Sequence, residues 1–275
     1  MIRIIDEIIA GAVGHAAAPP GLSESITRRP QTQRVLPAML QALGSSSHTL
    51  VRLSDGPGLH SRDCFSIGRS IVELAVNICY ILAEGEDAAS QAQGHANQKA
   101  VRDLDRESTV GGQTIRLRSS ALEDLELPRE LQESIQEFTA RSGREKGWTD
   151  MSVDARCERV GQVLGEEVLT PLHWARFAVY RHSSEILHGT FFSAMFFMGL
   201  TDPAGAPTSP NEWLGRIAGQ HLMILMSAVL SVLAVARAVS ASFDVSEFVI
   251  RAERYLADLK AAPFFSEKRG EGNDV

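Results

Sequence analysis

The sequence predicts an all-α protein, a bundle of long helices that run antiparallel to one another. Long stretches carry apolar residues at helical spacing, and almost none alternates as a strand would. Clusters of glycine and proline separate these stretches. With 275 residues, of which 44% are hydrophobic and 22% charged, the chain is long enough to bury a substantial core.

The chain is predicted to contain an N-terminal helical segment and linker (1–58), a helical bundle (59–262) and a disordered tail (263–275). Within the first segment we predict a short helix at 2–10, a linker at 15–20 with its two prolines, and a helix at 32–43. The small residues Gly44 to Ser47 are predicted to close that helix. Residues 55–58, Asp-Gly-Pro-Gly, are typical of a turn.

The bundle is predicted to be helical almost throughout. In chain order, the predicted helices cover residues 61–83, 91–106, part of 119–141, 152–164, 170 to beyond 188, 213–240 and 246–259. Pro128 either divides the charged stretch 119–141 or starts a new helix there, and Ser152 is predicted to cap the helix that follows. Gly111 and Gly112 mark a break, and the proline-rich residues 201–211 form an exposed loop.

The charge, the cysteine content and the N-terminal residues of the chain argue against several classes of protein. The net charge of −7 argues against a protein that coats nucleic acid, although it allows a local basic site. Cys64, Cys79 and Cys157 are odd in number and far apart, which argues against a zinc site and disulfides and favours reduced thiols in the cytoplasm. Asp6 and Glu7 interrupt the apolar N-terminus before a signal peptide can form. No motif for a cofactor or a metal is present, so we predict neither.

One segment, 222–239, is nearly all apolar. His221 and Arg237 leave about 15 uncharged residues between them, fewer than the roughly 20 that a membrane span requires. We predict a buried core helix and no membrane span. Membrane association through this segment is the alternative.

The helix predicted at 61–83 carries a narrow polar stripe at spacings of four, four, three and four residues: Arg69, Glu73, Asn77, Tyr80 and Glu84. Its other positions are almost all apolar, which is typical of a central helix rather than a surface one. The stripe faces either water or a buried polar site, where its charges need partners.

A second helix supplies candidate partners on one side: His173, Arg176, Tyr180, Arg181, Ser184 and His188. Arg181 and His188 are seven residues apart, so they lie within about 20° around the axis and roughly 10.5 Å along it. An arginine that binds a phosphate and a histidine that transfers a proton are the minimum for RNA cleavage without a metal. Arg181 pairs either with Glu185, four residues on, or with Glu73, which would orient it. The apolar residues 191–198 predict that His188 lies near packed core.

These residues resemble the R-x(4–6)-H signature of the HEPN superfamily, a group of helical bundles that includes metal-independent RNases. The layout also resembles the bacterial family called domain of unknown function 5677, over roughly residues 59–199. The matching positions are Arg69, Glu73 and Asn77 (R-x-x-x-E-x-x-x-N), Trp148, and Tyr180, Ser184, His188 and Gly189 (Y-x-x-x-S-x-x-x-H-G).

The resemblance implies a homodimeric endoribonuclease that acts in stress response or phage defence, with RNA as its substrate and an antitoxin or regulatory protein as a further partner. His188 would be the general acid–base, Arg181 would hold the scissile phosphate, and His182 or Ser184 would assist positioning. The bare motif also fits Arg176 to His182 and Arg216 to His221. The alternative from a different class is a non-catalytic binding or regulatory protein, in which the Arg/Glu/His stripe is a buried structural network.

Overall fold

The computed structural model describes residues 26–54, 56–119, 127–246, 249–251, 253–254 and 257, and excludes the side chain of Arg181. The predicted helix at 2–10, the linker at 15–20 and the tail at 263–275 lie outside the described residues. The predicted helix at 246–259 is described only in part.

The prediction of an all-α bundle is confirmed, with a small hairpin as its one β element among the described residues. In chain order the elements are α1 (Pro30–Arg52), α2 (Ser61–Glu84), α3 (Glu86–Leu104), β1 (Asp105–Val110), β2 (Gln113–Arg118), α4 (Arg129–Phe138), α5 (Val153–Leu164), α6 (Glu166–Leu187), α7 (Phe191–Phe197) and α8 (Pro210–Phe243).

Helix α2 is the centre of the bundle. It packs against α1, α5, α6 and α8, and Phe65, Ile71 and Val76 are fully buried there. The apolar residues around most of its circumference explain this position, because each neighbouring helix covers one part of them. Helix α1 joins the same core through residues such as Leu40 and Leu43.

The predicted end of α1 is wrong, whereas the start of a helix at Pro128, one of the two predicted alternatives, is found. Gly44 and Ser47, which were expected to close the first helix, are buried inside α1, which continues to Arg52. Small side chains there allow close helix contact, and this outweighs their weak helix propensity. Pro128 is the N-cap residue of α4, so a helix starts directly after it; most of the charged stretch before it lies outside the described residues. The predicted cap on α5 is confirmed, since the Ser152 hydroxyl accepts a hydrogen bond from the Ala155 N–H at 3.1 Å.

Helix α6 was predicted to begin near Pro171 and to run past His188, and both ends are wrong. It begins at Glu166 with Pro171 inside it, and it ends at Leu187. The carbonyl of Glu167, which Pro171 cannot serve because it has no N–H, accepts a hydrogen bond from the Arg237 guanidinium at 2.6 Å. At the other end His188 is the C-cap, and Gly189 takes a positive φ of 61° that turns the chain away.

The hairpin was not predicted. The helix expected over 91–106 ends at Leu104, and β1 pairs antiparallel with β2 so that Val110 lies opposite Gln113. Gly111 and Gly112, expected to be a break, form its two-residue turn with φ of 59° and 79°. Every residue of both strands is exposed, so no buried face produced a pattern that would have revealed them.

Among the described residues, α2 and α8 are long and apolar enough to cross a membrane by length and composition. In each, 61% of the apolar window is buried inside the structure, as is also found for core helices of soluble proteins.

Candidate functional site

The polar stripe on α2 faces other helices. Arg69 donates a hydrogen bond to Glu73 at 3.0 Å and a second to the Tyr180 hydroxyl on α6 at 3.4 Å. The guanidinium of Arg69 lies 4.5 Å from the centroid of the Tyr180 ring, and that of Arg176 lies 5.5 Å from it. Tyr180 is therefore held by two cations, and this contact fixes α6 against α2.

The next position of the stripe binds α5. The Asn77 side-chain oxygen accepts a hydrogen bond from Arg156, whose guanidinium lies 5.7 Å from the centroid of the Trp148 ring. Burial lowers the pKa of Arg156, while nearby groups that include Glu73 favour its charged form. Trp148 also makes an edge-to-face contact with Tyr80 at 5.8 Å. Arg156 thus contacts both Asn77 and Trp148, two of the positions that match the family pattern.

The last two positions of the stripe are also partnered. The Tyr80 hydroxyl lies 3.2 Å from the sulfur of Met151, and Arg159 on α5 binds Glu84 at 2.5 Å. The interpretation of the stripe as a buried or half-buried polar network agrees with these contacts. Sequence reasoning missed Arg156 and Arg159, although their spacing of three residues places both on one face of α5.

The predicted second cluster divides between two sides of α6. Arg176 and Tyr180 face the network, where Arg176 forms an ion pair with Asp154 on α5. A different side, here called the outer face of α6, is formed by Glu166, Thr170, His173, Trp174, Phe177, Arg181, Ser184 and His188, which lie within about 100° of one another around the axis. Trp174 and Phe177 are 60% and 80% exposed there.

His188 lies on this outer face and is exposed. The expectation that it would lie near packed core is therefore wrong: Phe191 and Phe192 of α7 are themselves exposed, and Phe196 packs on His182 at another side of α6. Its backbone keeps a helical conformation (φ −79°, ψ −3°), and its N–H bonds the Ser184 carbonyl at 3.1 Å. The helical spacing from Arg181 to His188 is thus preserved to the last residue.

The other predicted site residues lie elsewhere. The ring of His182 stacks on Phe196 of α7, with centroids 4.4 Å apart and planes 6° apart. Since six residues separate His182 from His188, they point about 120° apart around the helix. Glu185 accepts a hydrogen bond from the Thr190 hydroxyl at 2.7 Å. The contacts predicted for Arg181 with Glu73 or Glu185 stay predictions, because its side chain is outside the described part of the structure.

Arg216 and His221, which also fit the Arg–His motif, both bind other parts of the fold. Arg216 donates hydrogen bonds to the carbonyls of Gly199 and Gly205 at 2.9 and 2.5 Å and so holds the loop before α8. His221 is 5% exposed and lies 3.2 Å from the Ser61 hydroxyl. Each of the two side chains is engaged with a different part of the fold.

The three cysteine thiols are expected to be unreactive. All three are free and buried, and burial raises the pKa of the Cys79 thiol and raises that of Cys157 to about 11. Thiolates, the reactive form, are therefore suppressed. Within the described ranges, no group of three or more histidine, cysteine, aspartate or glutamate residues is arranged to hold a metal ion.

In a comparison with known protein families, residues 38–206 match the family of unknown function (DUF5677). This range extends beyond the expected 59–199 at both ends, and it includes about two thirds of α1. No curated protein and no solved structure matches the chain. The matched range covers more than half of the chain and contains both the α2 stripe and the outer face of α6; the chain belongs to the family of unknown function (DUF5677).

Proposed function

We propose that this protein is a metal-independent endoribonuclease that acts through Arg181 and His188. The observation that supports the proposal is the outer face of α6, on which the helix backbone places these two residues two turns apart and leaves His188 open to solvent. The network behind α6 supports the same proposal, because helices held by several charged and aromatic contacts give a rigid base for a site.

In this reaction the 2′-hydroxyl of a ribose attacks the adjacent phosphorus, and the bond from phosphorus to the 5′-oxygen of the next nucleotide breaks. The products are a 2′,3′-cyclic phosphate and a 5′-hydroxyl. Arg181 binds the phosphate and stabilises the charge that develops on it. His188 transfers the proton, either from the attacking hydroxyl or to the leaving oxygen.

One histidine cannot serve both proton transfers at once, and His182 points away. A second copy of the chain supplies the second imidazole in our proposal. The exposed rings of Trp174 and Phe177 on the outer face of α6 are a surface that a homodimer would cover. Arg181 and His188 follow these rings toward the end of the helix, where a cleft between the two copies would admit RNA.

RNA also fits the surroundings of this face. Grooves of about 460 and 370 Å³ flank Phe177, and their walls include His173 and Arg176 in the first and Tyr180 and His182 in the second. Trp174 and Phe177 are covered by the second copy in this proposal, so the basic groups His173 and Arg176 at the edge of that interface would bind the RNA backbone. A cytoplasmic location, a role in stress or phage defence, and an antitoxin or regulatory partner are parts of the same proposal.

The test is cleavage of several RNAs in EDTA across pH, with products examined for cyclic phosphate. We expect cleavage by the wild type and its loss in Arg181→Ala and His188→Ala, with circular dichroism unchanged. His48→Ala is the matched control, since His48 is an exposed histidine on α1 with no part in the proposed site, and it should retain activity. Cleavage that survives both site substitutions would contradict the proposal.

A non-catalytic binding or regulatory protein is the second candidate. It is favoured by the partners found for every position of the α2 stripe, because such a network stabilises a fold without chemistry. Under this candidate the well-folded wild type cleaves none of the RNAs.

A further inference from the structure

A separate cavity of about 280 Å³ lies between α1, α2, α3 and the loop that carries Trp148. Its apolar wall includes Val35, Met39, Ile81 and Ala92. The volume is near the lower end of the range of roughly 300–1,000 Å³ that is usual for ligand pockets. The size and lining therefore suit a small molecule with an apolar body.

Trp148 forms a rigid aromatic wall of this pocket. Its ring is held by the edge-to-face contact with Tyr80 and by the guanidinium of Arg156, which lies 5.7 Å from its centroid. A ring that is fixed from two directions loses little entropy when a flat ligand packs against it. The flat ring of Trp148 therefore favours a planar ligand.

Two amides in the lining offer complementary hydrogen bonds. The Asn77 oxygen is occupied by Arg156, which leaves the Asn77 N–H groups as donors. The Gln93 nitrogen donates to Asn97 at 2.8 Å, which leaves the Gln93 oxygen as an acceptor. The pocket can thus present one donor and one acceptor to the edge of a heterocycle that itself carries an acceptor and a donor.

The charge near the pocket is positive. Arg34, an exposed residue of α1, lines the pocket, and among the described residues no carboxylate forms an ion pair with it. On the side of α3, His95 lines the pocket, and His95, Lys99 and Arg102 together surround the single carboxylate of Glu145. The residues that line the pocket include the Arg34 cation and no carboxylate, so the pocket attracts an anion.

We propose that this pocket binds a small planar organic anion, a flat ring that carries a carboxylate or a phosphate. Arg34 binds the anionic group, Trp148 packs against the ring, and Asn77 and Gln93 bind its polar edge. The site is distinct from Arg181 and His188, so it does not depend on ribonuclease activity.

Isothermal titration calorimetry on the full chain tests this proposal with two matched pairs of probes. Indole-3-acetate is compared with tryptamine, which has the same ring and the opposite charge, and adenosine 5′-monophosphate is compared with adenosine. We expect saturable binding of at least one anionic probe and none of its matched partner. The probe that binds identifies the carboxylate or the phosphate as the preferred group.

Two variants locate the binding. Arg34→Ala should weaken it about tenfold, as expected for a lost charged hydrogen bond, while Arg52→Ala, an exposed arginine on the same helix, should not. Ala92→Leu reduces the cavity and should abolish binding while melting cooperatively. Absence of saturation by both anionic probes at millimolar concentration, equal binding of tryptamine or adenosine, or full binding by Ala92→Leu would each overturn the proposal.

Discussion

The guanidinium of Arg237 on α8 donates a hydrogen bond of 2.6 Å to the backbone carbonyl of Glu167 on α6. This carbonyl would normally bind the N–H four residues later, and that residue is Pro171, which has none. A side chain from another helix therefore completes the helical hydrogen bonding that proline interrupts. The same Arg237 also binds Glu253 at 2.7 Å.

This relationship predicts coupling between Arg237 and Pro171. Arg237→Ala should lower the free energy of unfolding by about 1–3 kcal/mol, because the Glu167 carbonyl loses its partner. In a Pro171→Ala background the new N–H can bind that carbonyl, so the same substitution should cost less. Urea denaturation of the four proteins measures the difference, expected to be about 1 kcal/mol. Costs that are equal in both backgrounds would show that the hydrogen bond is not what Arg237 contributes.

Gly68 is predicted to be required where α2 packs on α8. A Cβ at this position would lie 2.9 Å from the Ile224 Cγ2 and 3.4 Å from a Val179 methyl, and β-branched side chains adjust poorly. Gly68→Ala should therefore destabilise by about 1–3 kcal/mol despite its better helix propensity. Gly219→Ala is the control in α8, where a Cβ meets nothing within 4 Å, and it should raise stability by about 0.5–1 kcal/mol. Thermal unfolding should move in opposite directions for the two variants; a higher melting temperature for both would refute the packing argument.

Acid should remove the contribution of Glu145. Lys99, with Arg102 and His95, lowers the pKa of this carboxyl to about 2 from its ordinary 4.5. Because the folded pKa is the lower one, its stabilisation is present above about pH 4.5 and is lost as the pH falls to about 2. Glu145→Gln should cost roughly 1 kcal/mol at pH 7, since solvent and salt screen these half-exposed groups, and much less at pH 2, where the carboxyl is about half protonated in the folded protein.

Denaturation at both pH values measures this effect. Glu133→Gln is the matched control, because the pairing of Glu133 in the described part of the structure is within its own helix, with Arg129 at 2.7 Å, and it should change little at either pH. A penalty for Glu145→Gln that persists unchanged at pH 2 would exclude the ionised carboxylate as its source.

The outer face of α6 is predicted to mediate self-association. Phe177→Glu places a charge in the middle of that face and should convert a dimer to a monomer, as measured by sedimentation. Leu59→Glu, which replaces another exposed apolar residue of 76% exposure in the loop before α2, should leave the association unchanged. A wild type that is monomeric at micromolar concentration would contradict the proposed homodimer.

The sequence by itself was sufficient for the class of fold, the central position of α2 and the capping of α5 by Ser152. These features depend on short-range periodicity and on hydrogen bonds between residues three or four apart, which a sequence displays directly. The spacing that places Arg181 and His188 on one face of a helix was equally readable, since it depends only on helix geometry.

Only the tertiary structure decided the rest. The extension of α1 through Gly44 and the start of α6 before Pro171 depend on partners that are distant in sequence, such as Arg237. The pairing of Asn77 with Arg156 and the exposure of His188 likewise follow from how the helices dock. The spacing of residues along a helix determines which of them share a face. Which of them are buried and which charges pair depends on the helices packed around it, and these come from distant parts of the sequence.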